Sequence, residues 1–237
     1  MMNIQVVDLG LTDYKYCWEL QQKIFNLRAD QKISDVLLFT EHHNVYTLGK
    51  SGDEAHLLAG EKELKSTGAD VYHIDRGGDI TYHGPGQLVG YPIIDLNNYY
   101  LDTHRYLRDL EEVIIKTLKD FGINGHREEN YTGVWVGSDK IAAIGVKVSR
   151  WITMHGFALN INTNLSYFDR IIPCGIFHKG VTSMERILGN KLLIQDVIDS
   201  VSSRFGEVFG IHTIIVDKDE FLSAINNLSN EKIECLQ

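Results

Sequence analysis

The chain has 237 residues, enough to bury a substantial core, and its 43% apolar and 23% charged residues are typical of a globular protein. A net charge of −9 argues against nucleic acid as a partner, because phosphate binding depends on clustered lysine and arginine. No apolar run approaches the roughly 20 residues that cross a bilayer, and the N-terminus carries no basic segment followed by an apolar one. We therefore expect a cytoplasmic protein with no membrane association.

Cysteine and histidine spacing gives no sign of a disulfide framework or a metal site. The three cysteines, Cys17, Cys174 and Cys235, form no CxxC pair, and in a reducing compartment we expect free thiols. None of the ten histidines falls in a spacing such as HxxxH or HExxH that holds zinc. The sequence therefore predicts no metal site.

Apolar periodicity predicts strands and short helices in the first hundred residues. The predicted elements are a strand at 6–9, a helix at 13–31 capped by Thr12, a strand at 35–40, a helix at 61–66 ended by Gly68, and strands at 70–74, 80–83 and 88–94. The last two strands flank a Gly-Pro-Gly corner.

The following segment begins with an amphipathic helix that is capped by Thr103 and stops at Gly122. Strands are predicted at 134–136, 140–148 and 152–161, and the tight turns between them favour an antiparallel arrangement. The tail contains a helix near 192–208, a strand at 214–216 and a helix at 218–227.

No repeat, low-complexity segment or linker divides the chain. The segments at 76–90 and 140–175 depend on each other too closely for a domain boundary between them. We expect one α+β domain over 1–237 with a mixed sheet. Its motif-bearing core lies at about 36–187, and residues 190–237 form structural helices and a strand.

The densest cluster of special-purpose residues lies between Arg76 and Gly90, in the sequence RGGDITYHGPGQLVG. Six of its fifteen residues are glycine or proline, which let a backbone approach a ligand closely or pre-set a turn. The same segment also holds Thr81, Tyr82, His83 and Gln87. A plain glycine-rich hairpin corner is the alternative, but the favoured interpretation is a segment that contacts a ligand.

Cys174 is a candidate nucleophile because it lies between a proline and a glycine in the sequence IIPCGI. From spacing alone, a nucleophilic and a structural cysteine are equally plausible. A thiol attacks as the thiolate, which a nearby cation favours. Lys140 is the candidate cation, although a lone lysine at a strand start is more often a solvated edge residue. His83, His155 and His178 are competing bases.

Small residues on two neighbouring predicted strands indicate a smooth apolar slot. The first strand offers Ala142, Ala143 and Gly145, and the second offers the run Gly156-Phe157-Ala158. Such a slot suits an alkyl chain better than a charged metabolite.

Four ordered motifs resemble the lipoyl(octanoyl) transferases, the cysteine-dependent members of the biotin/lipoate protein ligase fold. They are EH with VYTLG at 41–49, RGGDITYHGPGQLVGYPIIDL at 76–96, KIAAIGVKVSRWITMHGFALNINTNL at 140–165 and IIPCGI at 171–176. The resemblance extends from about residue 36 to residue 187. The early motif often has prolines where this chain has His43 and Asn44. The implied fold is α+β, with a central mixed, largely antiparallel sheet flanked by helices, and it agrees with the predicted elements.

The resemblance implies an acyltransferase that performs the first step of endogenous protein lipoylation. Such enzymes move octanoyl, and in some cases lipoyl, groups from octanoyl acyl carrier protein to a lysine of a lipoyl domain. The acceptors are the lipoyl domains of 2-oxoacid dehydrogenase and glycine cleavage complexes. We expect a monomer that works without a cofactor.

The resemblance also implies roles for individual residues. The cysteine matching Cys174 carries the acyl group as a thioester, and the lysine matching Lys140 favours the thiolate beside it. The positions that match the family's substrate pocket are Arg76, Gly77, Gly78, Asp79, Ile80, Thr81, Tyr82, His83, Ala143, Ile144, Gly145, Gly156, Phe157 and Ala158.

Other functions fit parts of the same pattern. An ATP-dependent lipoate or biotin ligase on this fold would use a comparable lysine but no nucleophilic cysteine. A scaffold that only binds lipoyl domains would need neither residue, and a cysteine hydrolase would want a histidine base. The cations Lys147, Arg150, Arg170, Lys179 and Arg186 flank the motifs, and they form either a basic rim for an acidic carrier or scattered surface charge.

Overall fold

The computed structural model describes residues 2–172 and 180–234, with side chains to residue 229. Its strands are β1 Asn3–Thr12, β2 Asp35–His42, β3 Val45–Leu48, β4 Asp70–His73, β5 Ile80–His83, β6 Gln87–Ile93, β7 His126–Glu128, β8 Tyr131–Val136, β9 Asp139–Ser149, β10 Ile152–Asn160 and β11 His212–Ile215. Its α-helices are α1 Tyr14–Ala29, α2 Glu61–Thr67, α3 Thr103–Asp120, α4 Met184–Leu188, α5 Ile194–Phe209 and α6 Lys218–Glu234. Short 3₁₀ turns occupy Glu54–His56, Leu96–Asn98 and Leu165–Arg170.

Two sheets organise the described residues. The larger has eight strands in the order β11-β1-β2-β6-β10-β9-β8-β7, and the smaller has three in the order β4-β3-β5. Strand β1 runs parallel to both β2 and β11, whereas the other pairs of the large sheet are antiparallel. The prediction of an α+β fold with a mixed, largely antiparallel sheet is confirmed.

Helices cover both faces of the large sheet because each buries one apolar stripe. On one face, α3 and α5 pack over a core that includes Leu110 and Phe205, and on the other α1 and α6 pack over a core that includes Ile24 and Phe221. Cys17 is fully buried in the second core, where burial raises the pKa of its thiol to about 12. This thiol is therefore a packing group.

The chain order of predicted elements is largely as expected, but the helix caps differ. Thr12 ends β1, and the N-cap of α1 is Asp13. The N-cap of α3 is Asp102, whose carboxylate accepts a hydrogen bond from the Arg105 N–H at 3.0 Å. Three elements were not predicted, namely β3, β7 and α4, because each is too short to show a period. None of the described helices is long and apolar enough to span a bilayer.

Candidate active site

A bulge in β9 places Lys140 on the same side of the sheet as Ala143. Trp135 of β8 pairs with Lys140, but its neighbour Val134 pairs with Ala142, so β9 contains one extra residue. Ile141 and Ala142 both turn into the core beneath α3. In a regular strand, residues three apart point to opposite faces. The extra residue reverses that alternation, and both Lys140 and Ala143 line one cavity.

This main cavity has a volume of about 460 Å³ and a floor of small side chains. Ala143 of β9 pairs with Ala158 of β10, and Gly145 pairs with Gly156. Ala158 pairs in turn with Val89 of β6. These pairs form two adjacent rows with little side-chain volume, so the space above the sheet stays open.

The segment from Arg76 to Thr81 covers the floor and is held by its own polar groups. The guanidinium of Arg76 is buried and donates to the carbonyl (2.7 Å) and hydroxyl (2.9 Å) oxygens of Thr47. Asp79 contacts His56 Nδ1 at 2.6 Å. The Gly77 N–H donates to the Val146 carbonyl at 2.9 Å, which attaches the segment to β9. Arg76 and Asp79 therefore fix the cover, and its glycines lie close to the substrate space.

The exposure of the lining residues shows which end of the main cavity is closed. Gly78, Asn130 and Thr132 are exposed and mark the open side. The opposite end is lined by residues that are all buried, namely Tyr14, His83, Val89, Tyr91, His155 and Gly156. Burial lowers the pKa of His83 to about 3, so this ring is neutral at pH 7. The closed end is therefore uncharged around His83 and suits an apolar group.

His155 has an unusual backbone and a fixed ring. Its φ of 60° lies in the left-handed region that a histidine seldom adopts. The ring Nε2 contacts the Asp75 carboxylate at 2.9 Å, and Nδ1 has no hydrogen-bond partner in the described part of the chain. Burial lowers the pKa of His155, and the hydrogen bond from its ring is the main cause of the lowered pKa of Asp75. A neutral imidazole that donates to a carboxylate accounts for both directions.

A chain of hydrogen bonds connects His83 with the backbone of Lys140. His83 Nδ1 donates to the Gln87 side-chain oxygen at 2.7 Å, and Gln87 donates to Asn160 at 2.9 Å. Asn160 then donates to the Thr182 carbonyl, and the Thr182 N–H donates to the Lys140 carbonyl, each at 3.0 Å. These bonds leave His83 no proton on Nε2 and fix the strands on either side of the cavity floor.

The Lys140 side chain lies beside an aromatic ring at the edge of the main cavity. Its Nζ is 4.8 Å from the centre of the Trp135 ring, a cation–π distance. Its backbone N–H donates to the Gly180 carbonyl at 2.9 Å, and it forms a parallel bridge with Val181. The residues that directly follow 173–179 are therefore attached to Lys140.

Cys174 lies outside the described residues, as do His178, Lys179 and Cys235. The chain just before residue 173 is attached to the cover of the main cavity. The Ile172 N–H donates to the His56 carbonyl at 2.9 Å, and His56 also contacts Asp79. The two described ends of this stretch, Ile172 and Gly180, thus both bond to elements of the site.

The structure brings almost all predicted pocket residues together. Thirteen of the fourteen predicted substrate-binding positions line the main cavity with Lys140, and Tyr82 does not. The Tyr82 ring stacks on Tyr167 in a separate core, and its hydroxyl donates to Asn44 at 2.8 Å. Tyr82 alternates with its lining neighbours Thr81 and His83 along β5, which explains the difference.

Several lining residues had no sequence signal for this role. Tyr14 fitted an apolar helix position, and Leu107 fitted the buried face of α3. Tyr91 lies in the motif at 76–96, directly after the glycine-rich segment, so its place in that motif could have indicated it. Of the cations suggested as a basic rim, Lys147 pairs with Asp75 and Arg170 pairs with Glu63. These pairs reduce the charge available to an acidic partner.

The described residues contain no group of three or more His, Cys, Asp or Glu side chains placed to hold a metal. The arrangement combines a closed apolar slot, a lysine at its edge and a cover of backbone amides. Such a site can hold an alkyl chain and supply a cation near its reactive end.

Comparisons with known proteins agree with this geometry. The family model for the lipoyl protein ligase A/B catalytic domain matches residues 13–206, a range that begins before α1 and ends within α5. The chain is 56% identical to an octanoyltransferase of Rubrobacter xylanophilus, over 85% of this chain and 91% of that relative. It is 48% identical to an octanoyltransferase of Caldicellulosiruptor bescii, over 94% and 99%.

Solved structures share the fold at low sequence identity. A lipoate-protein ligase A bound with ATP has a TM-score of 0.77 at 16% identity, covering 97% of this chain and 95% of that one. A bipartite lipoate protein ligase from Thermoplasma acidophilum has a TM-score of 0.75 at 16% identity, covering 97% and 93%. These likenesses show the fold alone.

Proposed function

The chain belongs to the lipoyl protein ligase A/B catalytic domain family, and we propose that within it the protein is an octanoyltransferase of protein lipoylation. It moves an octanoyl group from octanoyl acyl carrier protein to a lysine of a lipoyl domain, in the cytoplasm and without ATP. Relatives that are about half identical over most of the chain carry the name octanoyltransferase. The observation that carries the proposal is the mainly apolar cavity, closed at one end, with Lys140 at its edge.

The size and lining of the main cavity suit an eight-carbon acyl chain. A volume of about 460 Å³ is in the range of small-ligand sites. Burying the seven carbons beyond the carbonyl contributes about 6 kcal/mol, at about 0.8 kcal/mol for each. The small floor residues Ala143 and Ala158 leave room for the chain, and the neutral His83 adds no charge at the closed end.

The proposed reaction proceeds in two steps through Cys174. Its thiolate attacks the carbonyl carbon of the carrier thioester, and the carrier sulfur leaves and takes a proton. One carbon–sulfur bond forms as another breaks, so the step is close to balanced. The neutral amine of the acceptor lysine then attacks the new thioester, loses a proton and displaces the Cys174 sulfur. The product is the more stable amide.

Lys140 has the role of cation and proton carrier in this proposal. An ammonium group near Cys174 favours the thiolate, and it can give a proton to the departing carrier sulfur. The backbone bonds from Lys140 to Gly180 and Thr182 support this pairing, because they attach the lysine to the chain that follows Cys174. Backbone N–H groups of the covering segment or of the loop around Cys174 stabilise the tetrahedral oxyanion in this proposal. The Gly77 N–H is not one of them, because it donates to Val146. One domain over 1–237 acts as a monomer.

A transfer assay with and without ATP tests the proposal against the ligase alternative. A lipoyl domain is incubated with octanoyl carrier protein in one series and with free octanoate and ATP in the other. We expect octanoyl-domain product from the carrier donor without ATP and none from free octanoate. Product only with ATP and free acid would replace the proposal with a ligase. A control with the lysine of the lipoyl domain replaced by arginine identifies the acceptor atom.

A further inference from the structure

Tyr14 lies between the main cavity and a second cavity. The second cavity has a volume of about 430 Å³ and lies between α1, β3 and β4 and the turns beside them. Its outer lining is exposed and mostly polar (Asp13, Lys15, Glu19, His43 and Asp70), whereas Tyr72 and Val45 line it next to Tyr14. Among the described residues, Tyr14 alone lines both cavities. The Tyr14 ring therefore separates the closed end of the main cavity from the second cavity.

Ring contacts on both sides hold Tyr14 in this position. It stacks on Tyr72, with ring centres 5.6 Å apart, and on His83, with ring centres 5.9 Å apart. Tyr72 lines the second cavity and His83 lines the main one. The edge of His42 meets the Tyr14 ring at 5.1 Å. The three stacked rings thus cross from one cavity to the other with Tyr14 in the middle.

The neighbouring residues at the closed end are also fixed. The Tyr91 hydroxyl hydrogen-bonds His42 Nε2 at 2.8 Å, and the His155 ring is held by Asp75. Neither Tyr91 nor His155 lines the second cavity, so removing one of them opens no passage into it. Tyr14 differs from them because open space lies on both of its sides.

The distance along the floor fits a chain of about eight carbons. From Ala143 to Val146, the pairing partner of His155, β9 advances three residues, which is about 10 Å. An extended octanoyl chain has nearly the same length, about 9 Å, which is slightly less than three residues of strand rise. A chain whose carbonyl lies near Lys140 therefore ends close to the rings of the closed end.

We propose that Tyr14 sets the upper limit of acyl chain length by closing the main cavity against the second one. This inference rests on the proposed octanoyl transfer. The Tyr14 ring stops the terminal methyl group of an octanoyl chain. When the ring is absent, longer chains extend into the second cavity.

The test measures kcat/KM with carrier proteins that bear six-, eight-, ten- and twelve-carbon acyl groups. Wild type is compared with Tyr14→Ala, with Tyr14→Phe, which keeps the ring, and with Tyr16→Ala on the rim of the second cavity. The gain in Tyr14→Ala comes from removing the steric block to carbons beyond the eighth. Full burial of four methylenes would give roughly 200-fold at about fourfold each, and the polar, exposed lining of the second cavity keeps the gain well below that. We expect the dodecanoyl-to-octanoyl ratio to rise at least tenfold in Tyr14→Ala and to stay unchanged in the other two variants.

A ratio in Tyr14→Ala within twofold of wild type would overturn the inference. Because Tyr14 is buried, Tyr14→Leu provides the same comparison with less loss of apolar volume, and its gain should appear first with the decanoyl donor. A wild type that transfers no octanoyl group contradicts the proposed function itself. Normal octanoyl transfer with an unchanged ratio contradicts only the role of Tyr14.

Discussion

Replacing Gly145 with alanine tests whether close contact between β9 and the covering segment builds the main cavity. A Cβ atom at position 145 would lie 2.9 Å from the Gly77 carbonyl oxygen and 3.1 Å from Arg76 Cδ. The Gly77 contact is with backbone, so the segment must move away from β9. That movement disrupts the hydrogen bond from the Gly77 N–H to Val146.

Two terms contribute to the expected loss of stability in Gly145→Ala. A lost hydrogen bond costs about 1 kcal/mol, and forcing an added methyl group into a packed site costs about 1 kcal/mol or more. The free energy of unfolding should fall by about 2 kcal/mol, which lowers Tm by about 4–8 °C in a chain of this size. The displaced cover should also raise KM for the octanoyl donor severalfold.

Calorimetry and donor-dependent kinetics measure these two effects. Gly60→Ser is the matched control, because a Cβ atom at position 60 meets no atom within 4 Å, and exchanging glycine and serine at the N-cap of α2 changes stability by only about a few tenths of a kcal/mol. It should leave Tm and KM unchanged. If Gly145→Ala matched this control in both Tm and KM, the contact between Gly145 and the cover would not shape the cavity.

Three further predictions concern pH, the lysine and a buried carboxylate. Burial lowers the pKa of His42 to about 4 and that of His83 to about 3. Below pH 6.5 the unfolded chain binds protons that the folded chain refuses, so the free energy of unfolding should fall by up to about 1.4 kcal/mol per pH unit for each ring between pH 6.5 and 4. Urea titrations should show a shallower fall in His83→Gln, and equal slopes would contradict this. Lys140→Met should slow acyl transfer most at pH 6.5 and recover towards pH 8.5, near the ordinary cysteine pKa of about 8.5, whereas a constant ratio to wild type would refute the thiolate role. Glu111 is buried and accepts hydrogen bonds from two arginines and the Gly133 N–H. Glu111→Ala should therefore lower the free energy of unfolding by about 3 kcal/mol, against less than about 1 kcal/mol for the half-exposed Glu112→Ala. Equal losses in urea titrations would contradict this.

Local patterns predicted most of the fold because each long element carries its own signal. The buried stripe of α3 repeats at helical spacing, and β10 is a mostly apolar segment of nine residues between turns. The predicted caps Thr12 and Thr103 each lie one residue from the observed caps Asp13 and Asp102, because a threonine and an aspartate side by side are both good N-caps. Which of the two residues is the cap depends on where the preceding strand or turn ends, and tertiary contacts determine that end.

The motifs predict which residues line the main cavity, but they do not predict the strand pairing that gives the cavity its shape. Glycines and alanines on two neighbouring predicted strands indicate the cavity floor from the sequence alone. The bulge that turns Lys140 towards Ala143 was not predictable, because an extra residue in β9 follows from its pairing with β8. Tyr14 could not be assigned to the site either, since its partners Tyr72 and His83 lie far along the chain.

The central claim is that Cys174 carries the acyl group, and intact-protein mass measurement tests it most directly. Wild type and Cys174→Ser are each mixed with octanoyl carrier protein without an acceptor domain. We expect wild type to gain the mass of one octanoyl group, which hydroxylamine removes because it cleaves thioesters, and Cys174→Ser to gain none. Two results would contradict the covalent mechanism. One is transfer to a lipoyl domain by Cys174→Ser at the rate of wild type, and the other is a wild type that never gains the acyl mass.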